Sequence, residues 1–202
     1  MRFWVRNSAA LTSTVCLAFA ATTMLSGQSS KPATKKAGAH RMNELTLAGL
    51  RPGRDTRGKA IQLYRKPTAS TDSQDAQLTW ASGCHLQTLT MDVDTDGKIQ
   101  VIRATAADTK GAMLDCKSVQ PTSWITGNGL RIGDAASKVA ELYGQPDSRS
   151  PSTKDGQPLE LWYYAFDWAG ADVPQVMEVL CTVEKNGSPR RVVEITLAAP
   201  SL

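Results

Sequence analysis

The sequence predicts an α+β fold of two tandem repeats, each a short helix followed by a three-stranded antiparallel sheet, with continuous sheets and both helices on one face. The motif Gly-Leu-Arg-x-Gly occurs at residues 49–53 and again at residues 129–133. Each copy leads to a Leu-Tyr pair and a proline, and Tyr64 and Tyr143 lie 79 positions apart. Helical periodicity then gives way to alternation in both copies, which indicates an internal repeat.

The second repeat shows most clearly why a helix is expected. Asp134 is a good N-cap residue, and Val139, Leu142 and Tyr143 fall at helical spacing on one face. Gly144 then permits the left-handed conformation that ends many helices.

The helix of the first repeat is predicted from about Thr56 to Arg65. Ala60, Ile61 and Tyr64 would form its inner face. Gly58 costs up to about 1 kcal/mol relative to alanine inside a helix, so the helical signal is weaker here.

Three strands are predicted after each helix because the apolar period changes from 3.6 to 2. Asp-Gly and Asn-Gly turns favour antiparallel pairing. The first repeat would span residues 43–105, a linker residues 106–128, and the second repeat residues 129–198. In the first repeat, one predicted strand begins with Leu78 and Trp80, and the other two span residues 86–93 and 98–104. In the second repeat, the three predicted strands span residues 159–168, 176–184 and 190–197.

Residues 1–27 are typical of a secretory signal peptide. Arg2 and Arg6 precede an uncharged apolar run that is too short for a stable membrane span of about 20 residues. We therefore expect an exported protein, periplasmic or extracellular. Residues 28–42 contain almost nothing apolar and are predicted to form a disordered basic leader.

The charge balance disfavours a nucleic-acid partner. The chain has 23 basic and 19 acidic residues, and loss of Arg2 and Arg6 leaves 21 basic residues and a net charge of +2. Lys35 and Lys36 in the leader would give either a weak contact with an anionic membrane surface or a solvated tail.

The repeated motifs resemble a known family. Residues 49–53 and 129–133 each precede a short helix ending in Leu-Tyr-Arg-Lys-Pro or Leu-Tyr-Gly-Gln-Pro and then three strands, similar to the repeat of SmpA/OmlA-type (BamE-like) envelope proteins. The tandem arrangement, over residues 43–198, resembles the beta-lactamase inhibitor protein fold. The resemblance implies either a concave sheet that grips a partner protein or a component of an envelope-assembly machine.

Cysteine usage predicts one disulfide. Export favours pairing among Cys84, Cys116 and Cys181. Cys84 and Cys116 lie in polar surroundings and are expected to pair, whereas Cys181 lies in an apolar strand and is expected to be a buried thiol. His85 adjoins Cys84, but adjacent residues of a strand point to opposite faces, which disfavours a catalytic pair. No zinc spacing occurs, so no metal or other cofactor is predicted.

Asp92, Asp94, Asp96 and Gly97 match the opening of a calcium-binding EF-hand loop. Arg103 occupies the twelfth position, where calcium requires a carboxylate, and the flanking residues alternate as in strands. We interpret the segment as a hairpin turn, with a calcium site as the alternative.

The segment 159–168 is the most informative positive feature for binding. One face of this strand carries the aromatic residues Trp162, Tyr164, Phe166 and Trp168. These residues either line an open sheet face as a protein-binding surface or form the core. Trp80 lies at the corresponding place in the first repeat.

These observations favour a non-catalytic binding protein that recognises another protein through its open sheet. No nucleophile elbow, phosphate-binding loop or paired-carboxylate motif occurs in the sequence. The alternative is an envelope-assembly or structural accessory protein tethered at the cell surface, and an enzyme of unknown type is a more distant alternative.

Overall fold

The computed structural model describes residues 42–71, 76–82, 86–106, 124–166, 175–184 and 190–199. The predicted signal peptide, the leader up to residue 41, Cys84, Cys116 and Trp168 lie outside the described residues. The helices are α1 (Arg57–Tyr64) and α2 (Ala136–Tyr143), and the strands are β1 (Ala69–Ser70), β2 (Ala76–Ser82), β3 (Gln87–Val93), β4 (Ile99–Ala106), β5 (Ser148–Lys154), β6 (Gln157–Phe166), β7 (Gln175–Thr182) and β8 (Val192–Ala198).

These strands form one eight-stranded antiparallel sheet in the order β1-β2-β3-β4-β8-β7-β6-β5. The predicted fold of two helix-plus-three-strand repeats is therefore wrong, because four strands follow each of these two short helices and all of them belong to a single sheet. β4 and β8 pair antiparallel from Val101 opposite Ala198 to Thr105 opposite Glu194. Hydrogen bonding between these two strands joins the two halves of the sheet.

The two strands that the sequence did not predict, β1 and β5, are the edge strands of the sheet. β1 has only two residues. β5 has the sequence Ser-Arg-Ser-Pro-Ser-Thr-Lys and therefore shows no apolar alternation. Pro151 is tolerated within it because an edge strand does not need every backbone N–H for pairing. Polar edge strands of this kind also disfavour further strand addition.

Both helices pack on the same face of the sheet. Ala60 of α1 and Val139 and Tyr143 of α2 are fully buried in one cluster with alternate residues of the strands. The opposite face carries no helix among the described residues. The strand residues of the buried cluster include Leu78, Trp80, Leu89, Met91, Ile102, Trp162, Tyr164, Phe166, Met177, Val179, Cys181, Ile195 and Leu197.

The structure places α1 within one residue of its predicted bounds. Thr56 is the N-cap, and its side chain accepts a hydrogen bond from the backbone N–H of Lys59. Ala60 is buried and Tyr64 packs against the core. The prediction for Ile61 is wrong, since this side chain is 37% exposed.

Asp134 does not cap α2 as predicted. The N-cap is Ala135, whose side chain makes no capping hydrogen bond. The Asp134 carboxylate instead accepts a hydrogen bond of 2.8 Å from the backbone N–H of Arg131, closing the turn before the helix. Asp55 accepts the equivalent bond of 2.8 Å from Arg51 in the first half. Each acid thus stabilises the turn that brings the chain to the helix.

A second pair of equivalent contacts holds the end of each helix against the sheet. The indole N–H of Trp80 donates to the carbonyl of Arg65 at 3.2 Å. The hydroxyl of Tyr164 donates to the carbonyl of Gly144 at 3.1 Å. Arg65 and Gly144 both have positive φ, 66° and 75° respectively, with ψ near −160°.

We predict opposite effects of substitution at these two positions. This backbone region is nearly restricted to glycine and costs other residues about 1–3 kcal/mol. Arg65→Gly is expected to raise the free energy of unfolding by about 1 kcal/mol, and Gly144→Ala to lower it by about 1–3 kcal/mol. No atom lies within 4 Å of a Cβ placed on Gly144, so the loss would come from the backbone alone. Urea unfolding followed by circular dichroism measures both changes, and a neutral Gly144→Ala would contradict the prediction.

A buried carboxylate fixes the segment that precedes α1 to the loop that precedes α2. Glu44 is 1% exposed. It accepts hydrogen bonds from the backbone N–H groups of Thr46 at 3.0 Å, Gly127 at 2.9 Å and Asn128 at 3.0 Å. The hydroxyl of Tyr143 donates to it at 2.6 Å. Burial and the negative charge of Glu44 both raise the pKa of Tyr143, which therefore remains the donor.

Glu44→Gln is expected to destabilise the fold more than Tyr143→Phe. The amide turns an N–H₂ group toward backbone donors, and each buried donor without an acceptor costs about 1–3 kcal/mol. Loss of the tyrosine hydroxyl removes its bonds with Glu44 and with the Thr126 hydroxyl, 2.8 Å away. It leaves no buried backbone N–H without this acceptor and should cost about 1–2 kcal/mol. Urea unfolding midpoints of the two variants test the order, and equal losses would show that the backbone donors do not depend on this carboxylate.

Candidate functional site

The aromatic row of β6 lies in the core. Trp162, Tyr164 and Phe166 are 4%, 0% and 1% exposed. The prediction that they line an open face is therefore wrong, and their alternative interpretation as core residues is correct. Trp80 is also buried. Trp168 lies outside the described residues.

Ring contacts explain why this row belongs inside. The ring centroid of Tyr143 lies 5.9 Å from that of Tyr164 and 6.0 Å from that of Phe166. Tyr164 and Phe166 stack at 6.0 Å. Three large rings therefore fill the space between α2 and the sheet, which gives more apolar burial than the smaller side chains on the other face of β6 could provide.

The helix-free face of the sheet is the candidate functional surface. Strand alternation places Leu161 and Tyr163 of β6 on this face, opposite Leu180 and Glu178 of β7. Val176 lies farther along β7 on the same face. The four apolar side chains are each half-buried. We refer to Leu161, Tyr163, Val176 and Leu180 as the apolar patch.

A charged cluster borders this patch on β8. Glu194 lies beside Leu180 in the register. Its carboxylate pairs with Lys154 of β5 and with Arg103 of β4, whose Nε is 3.4 Å away, and it accepts a hydrogen bond of 3.1 Å from the hydroxyl of Thr105. We refer to these four residues as the Glu194 cluster.

The pair between Lys154 and Glu194 crosses two intervening strands. Neighbouring strands are about 4.8 Å apart, so the Lys154 side chain must extend over β6 and β7 to reach β8. Leu159, on one of the strands that it crosses, is only 6% exposed. This ion pair therefore limits the apolar patch at one end.

On the same face, β2 and β3 carry mainly polar side chains. Their positions include Gln77, Thr79, Thr88, Thr90 and Asp92. Gln77 donates a hydrogen bond of 2.8 Å to Asp92. The helix-free face is therefore mainly polar on β2 and β3, whereas the apolar patch lies on β6 and β7.

The Asp92, Asp94 and Asp96 segment forms the β3–β4 hairpin turn. Asp94 accepts hydrogen bonds from the backbone N–H groups of Lys98 at 2.8 Å and Asp96 at 3.0 Å. The bond from Lys98 is the main cause that lowers the pKa of Asp94. The hairpin interpretation is confirmed. In the part of the chain that the structure describes, no group of three or more histidine, cysteine or acidic side chains could hold a metal ion.

Cys181 is a free and buried thiol, as predicted. It lies on the core face of β7, and burial raises its pKa to about 12. The predicted pairing of Cys84 with Cys116 lies outside the described residues. No helix among the described residues is long and apolar enough to cross a membrane.

The sequence contains a signal for the apolar patch but does not show which face of β6 is exposed. Leu161 and Tyr163 alternate with Trp162 and Tyr164, so both faces of β6 read as apolar. Val176 and Leu180 add to the patch only because β7 pairs with β6. Arg103 and Glu194 are 91 positions apart, and their ion pair depends on the pairing of β4 with β8.

No protein-family model matches the chain, and no curated protein matches it. Among solved structures, it is similar to a DUF4309 family protein from Bacillus subtilis, at 12% identity and a TM-score of 0.41, covering 79% of this chain and 88% of that one. An extracellular protein with an SCP domain from Bacillus anthracis has 10% identity, a TM-score of 0.38 and coverage of 83% and 50%. A cysteine-rich secretory protein from Staphylococcus aureus has 10% identity, a TM-score of 0.37 and coverage of 78% and 50%. The chain thus spans about half the length of the latter two proteins.

We predict that the fold loses stability between about pH 9 and pH 12. Burial raises the pKa of Tyr64 from 10.0 to about 12 and that of Cys181 from 9.0 to about 12. Both groups are neutral in the folded chain at neutral pH. Their contribution to the free energy of unfolding is therefore complete below their pKa values in the unfolded chain. It is lost as the pH rises from these values toward the higher pKa values of the folded chain. Tyr64→Phe and Cys181→Ala should each make the urea midpoint less sensitive to pH in this range. A midpoint that stays constant from pH 8 to pH 11 would contradict the prediction.

Proposed function

We propose that the chain is an exported, non-catalytic binding protein that recognises another protein through the helix-free face of its sheet. The observation that carries the proposal is the apolar patch with the Glu194 cluster at its edge. Export is supported by the signal-like sequence of residues 1–27, and it would deliver the protein to the periplasm or the extracellular medium.

The composition of this surface supports the proposal. The centre of a typical protein interface is apolar and rich in tyrosine, whereas its rim is polar and charged. Tyr163 and Leu180 lie at the centre of the apolar patch, with Glu178 and Glu194 beside them. Tyr163 could supply a large contact area while its hydroxyl remains near solvent.

The surface is also rigid before binding. Each residue of the apolar patch lies on a strand with a paired strand on both sides, since β6 pairs with β5 and β7, and β7 pairs with β6 and β8. Little conformational entropy of the backbone would be lost on association, and this favours affinity for a given contact area.

The expected partner is a folded protein that presents an apolar protrusion surrounded by charges of both signs. The apolar side chain would contact Tyr163 and Leu180. An acidic group of the partner would face Lys154, and a basic group would face Glu194 or Glu178, so each could replace part of the existing ion pairing.

A photo-crosslinking experiment tests this surface. Benzoylphenylalanine introduced at position 163 should crosslink one discrete protein from the exported fraction of the native cell. The same reagent at position 63 should not, because Leu63 is exposed on α1, on the other side of the sheet. Once the partner is purified, Leu180→Asp should weaken binding about 30-fold, as expected for a central interface residue.

Thr79→Asp is the matched control, because it introduces the same charge on the same face but on β2, away from the Glu194 cluster. It should leave the affinity within about threefold of the unsubstituted protein. Equal losses for Leu180→Asp and Thr79→Asp, or a crosslink only to a second copy of this chain, would contradict the proposal.

A further inference from the structure

A cavity that is open to solvent lies on the helix side of the sheet, away from the helix-free face. Its volume is about 240 Å³, and its walls come from the start of α2, from β5 and β6, and from the segment that precedes β8. The lining residues are Ala135, Ala136, Ser137, Arg149, Trp162 and Arg190.

Two guanidinium groups face this cavity. The guanidinium of Arg149 lies over the Trp162 ring, 4.0 Å from its centroid, and also donates to Gln145 at 3.1 Å. This stacking orients the planar group beside the cavity and leaves N–H donors along its edge. Arg190 also lines the cavity, and its side chain is 35% exposed.

One carboxylate balances only part of this charge. A single oxygen of Glu160 accepts from Arg190 at 2.6 Å and from the indole N–H of Trp162 at 2.7 Å. Two arginines and one glutamate leave one net positive charge beside the cavity. An additional anion could therefore be accommodated without displacing Glu160.

Apart from Ser137, the remaining walls are apolar. They come from Ala135, Ala136 and Trp162. In the first half of the chain, the residue equivalent to Ala135 is Thr56, whose hydroxyl caps α1. Ala135 makes no such bond. The backbone N–H of Ala136 instead donates to the carbonyl of Arg190 at 2.9 Å, which holds Arg190 beside the start of α2.

We propose that this cavity binds a small organic acid, with the carboxylate between Arg149 and Arg190 and the apolar body against Ala135, Ala136 and Trp162. The volume supports this class of ligand, because a cavity of about 150 Å³ is sufficient for benzene. A ring with a short carboxylate arm fits within 240 Å³. This inference does not depend on the protein-binding surface, since the cavity lies on the other side of the sheet.

Phenylacetate is the probe, with phenylacetamide as the uncharged control and inorganic phosphate as the anion without an apolar body. Binding is followed through the indole resonance of Trp162 in a ¹H–¹⁵N spectrum and by calorimetry. Phenylacetate should shift this resonance in a saturable manner. Phenylacetamide and phosphate should each bind at least about tenfold more weakly, because each lacks one of the two groups that the cavity accepts.

Three variants test the roles of the charged residues. Arg149→Gln should weaken phenylacetate binding about tenfold or more. Glu160→Gln should strengthen it about threefold or more, because it removes the competing charge while its side-chain oxygen still accepts from Trp162. Lys98→Gln removes a positive charge from the β3–β4 turn in the first half of the chain and should leave binding unchanged.

The gain expected from Glu160→Gln keeps the test independent of folding defects, because a misfolded variant would lose affinity. Weaker binding by folded Glu160→Gln, or unchanged binding by folded Arg149→Gln, would overturn the assignment. Equal affinity for phenylacetamide or phosphate, or no saturable shift at millimolar phenylacetate, would overturn it as well.

Discussion

The pairing of β4 with β8 is the interaction on which the rest of this structure depends. Five pairs of residues, from Val101 opposite Ala198 to Thr105 opposite Glu194, convert two runs of four strands into one sheet. The seam makes the core continuous beneath both helices. It also brings Arg103 to Glu194, so the charged edge of the candidate surface is a direct product of the same backbone pairing.

The two faces of the sheet differ in surface chemistry because burial is distributed unequally between them. The large rings of Tyr143, Tyr164 and Phe166 lie on the helix side. The carboxylate of Glu44 accepts hydrogen bonds from Tyr143 and from the backbone of the loop that precedes α2. The other face carries the half-buried side chains of the apolar patch together with charged groups. A rigid, partly apolar face supported by a well-packed core is a favourable arrangement for binding a partner.

Differences between the halves locate both candidate sites in the second half. Thr56 caps α1, whereas Ala135 leaves α2 without a side-chain cap beside a cavity. On the helix-free face, Thr79 and Thr90 are paired in the first half, whereas Tyr163 lies near Leu180 in the second. Similar backbone arrangements therefore carry different surface chemistry, and it is this chemistry that defines a site.

The sequence by itself determined the positions of both helices, six of the strands, the Asp94 turn and the burial of Cys181, because each follows from local periodicity or turn chemistry. The tertiary structure decided the single sheet, since the β4–β8 seam joins residues about 90 positions apart and leaves no local pattern. It also decided the edge strand β5, which has no apolar alternation. Finally, it decided which face of β6 is buried. Both faces are apolar in sequence, and only packing against α2 places Trp162, Tyr164 and Phe166 inside and leaves Leu161 and Tyr163 outside.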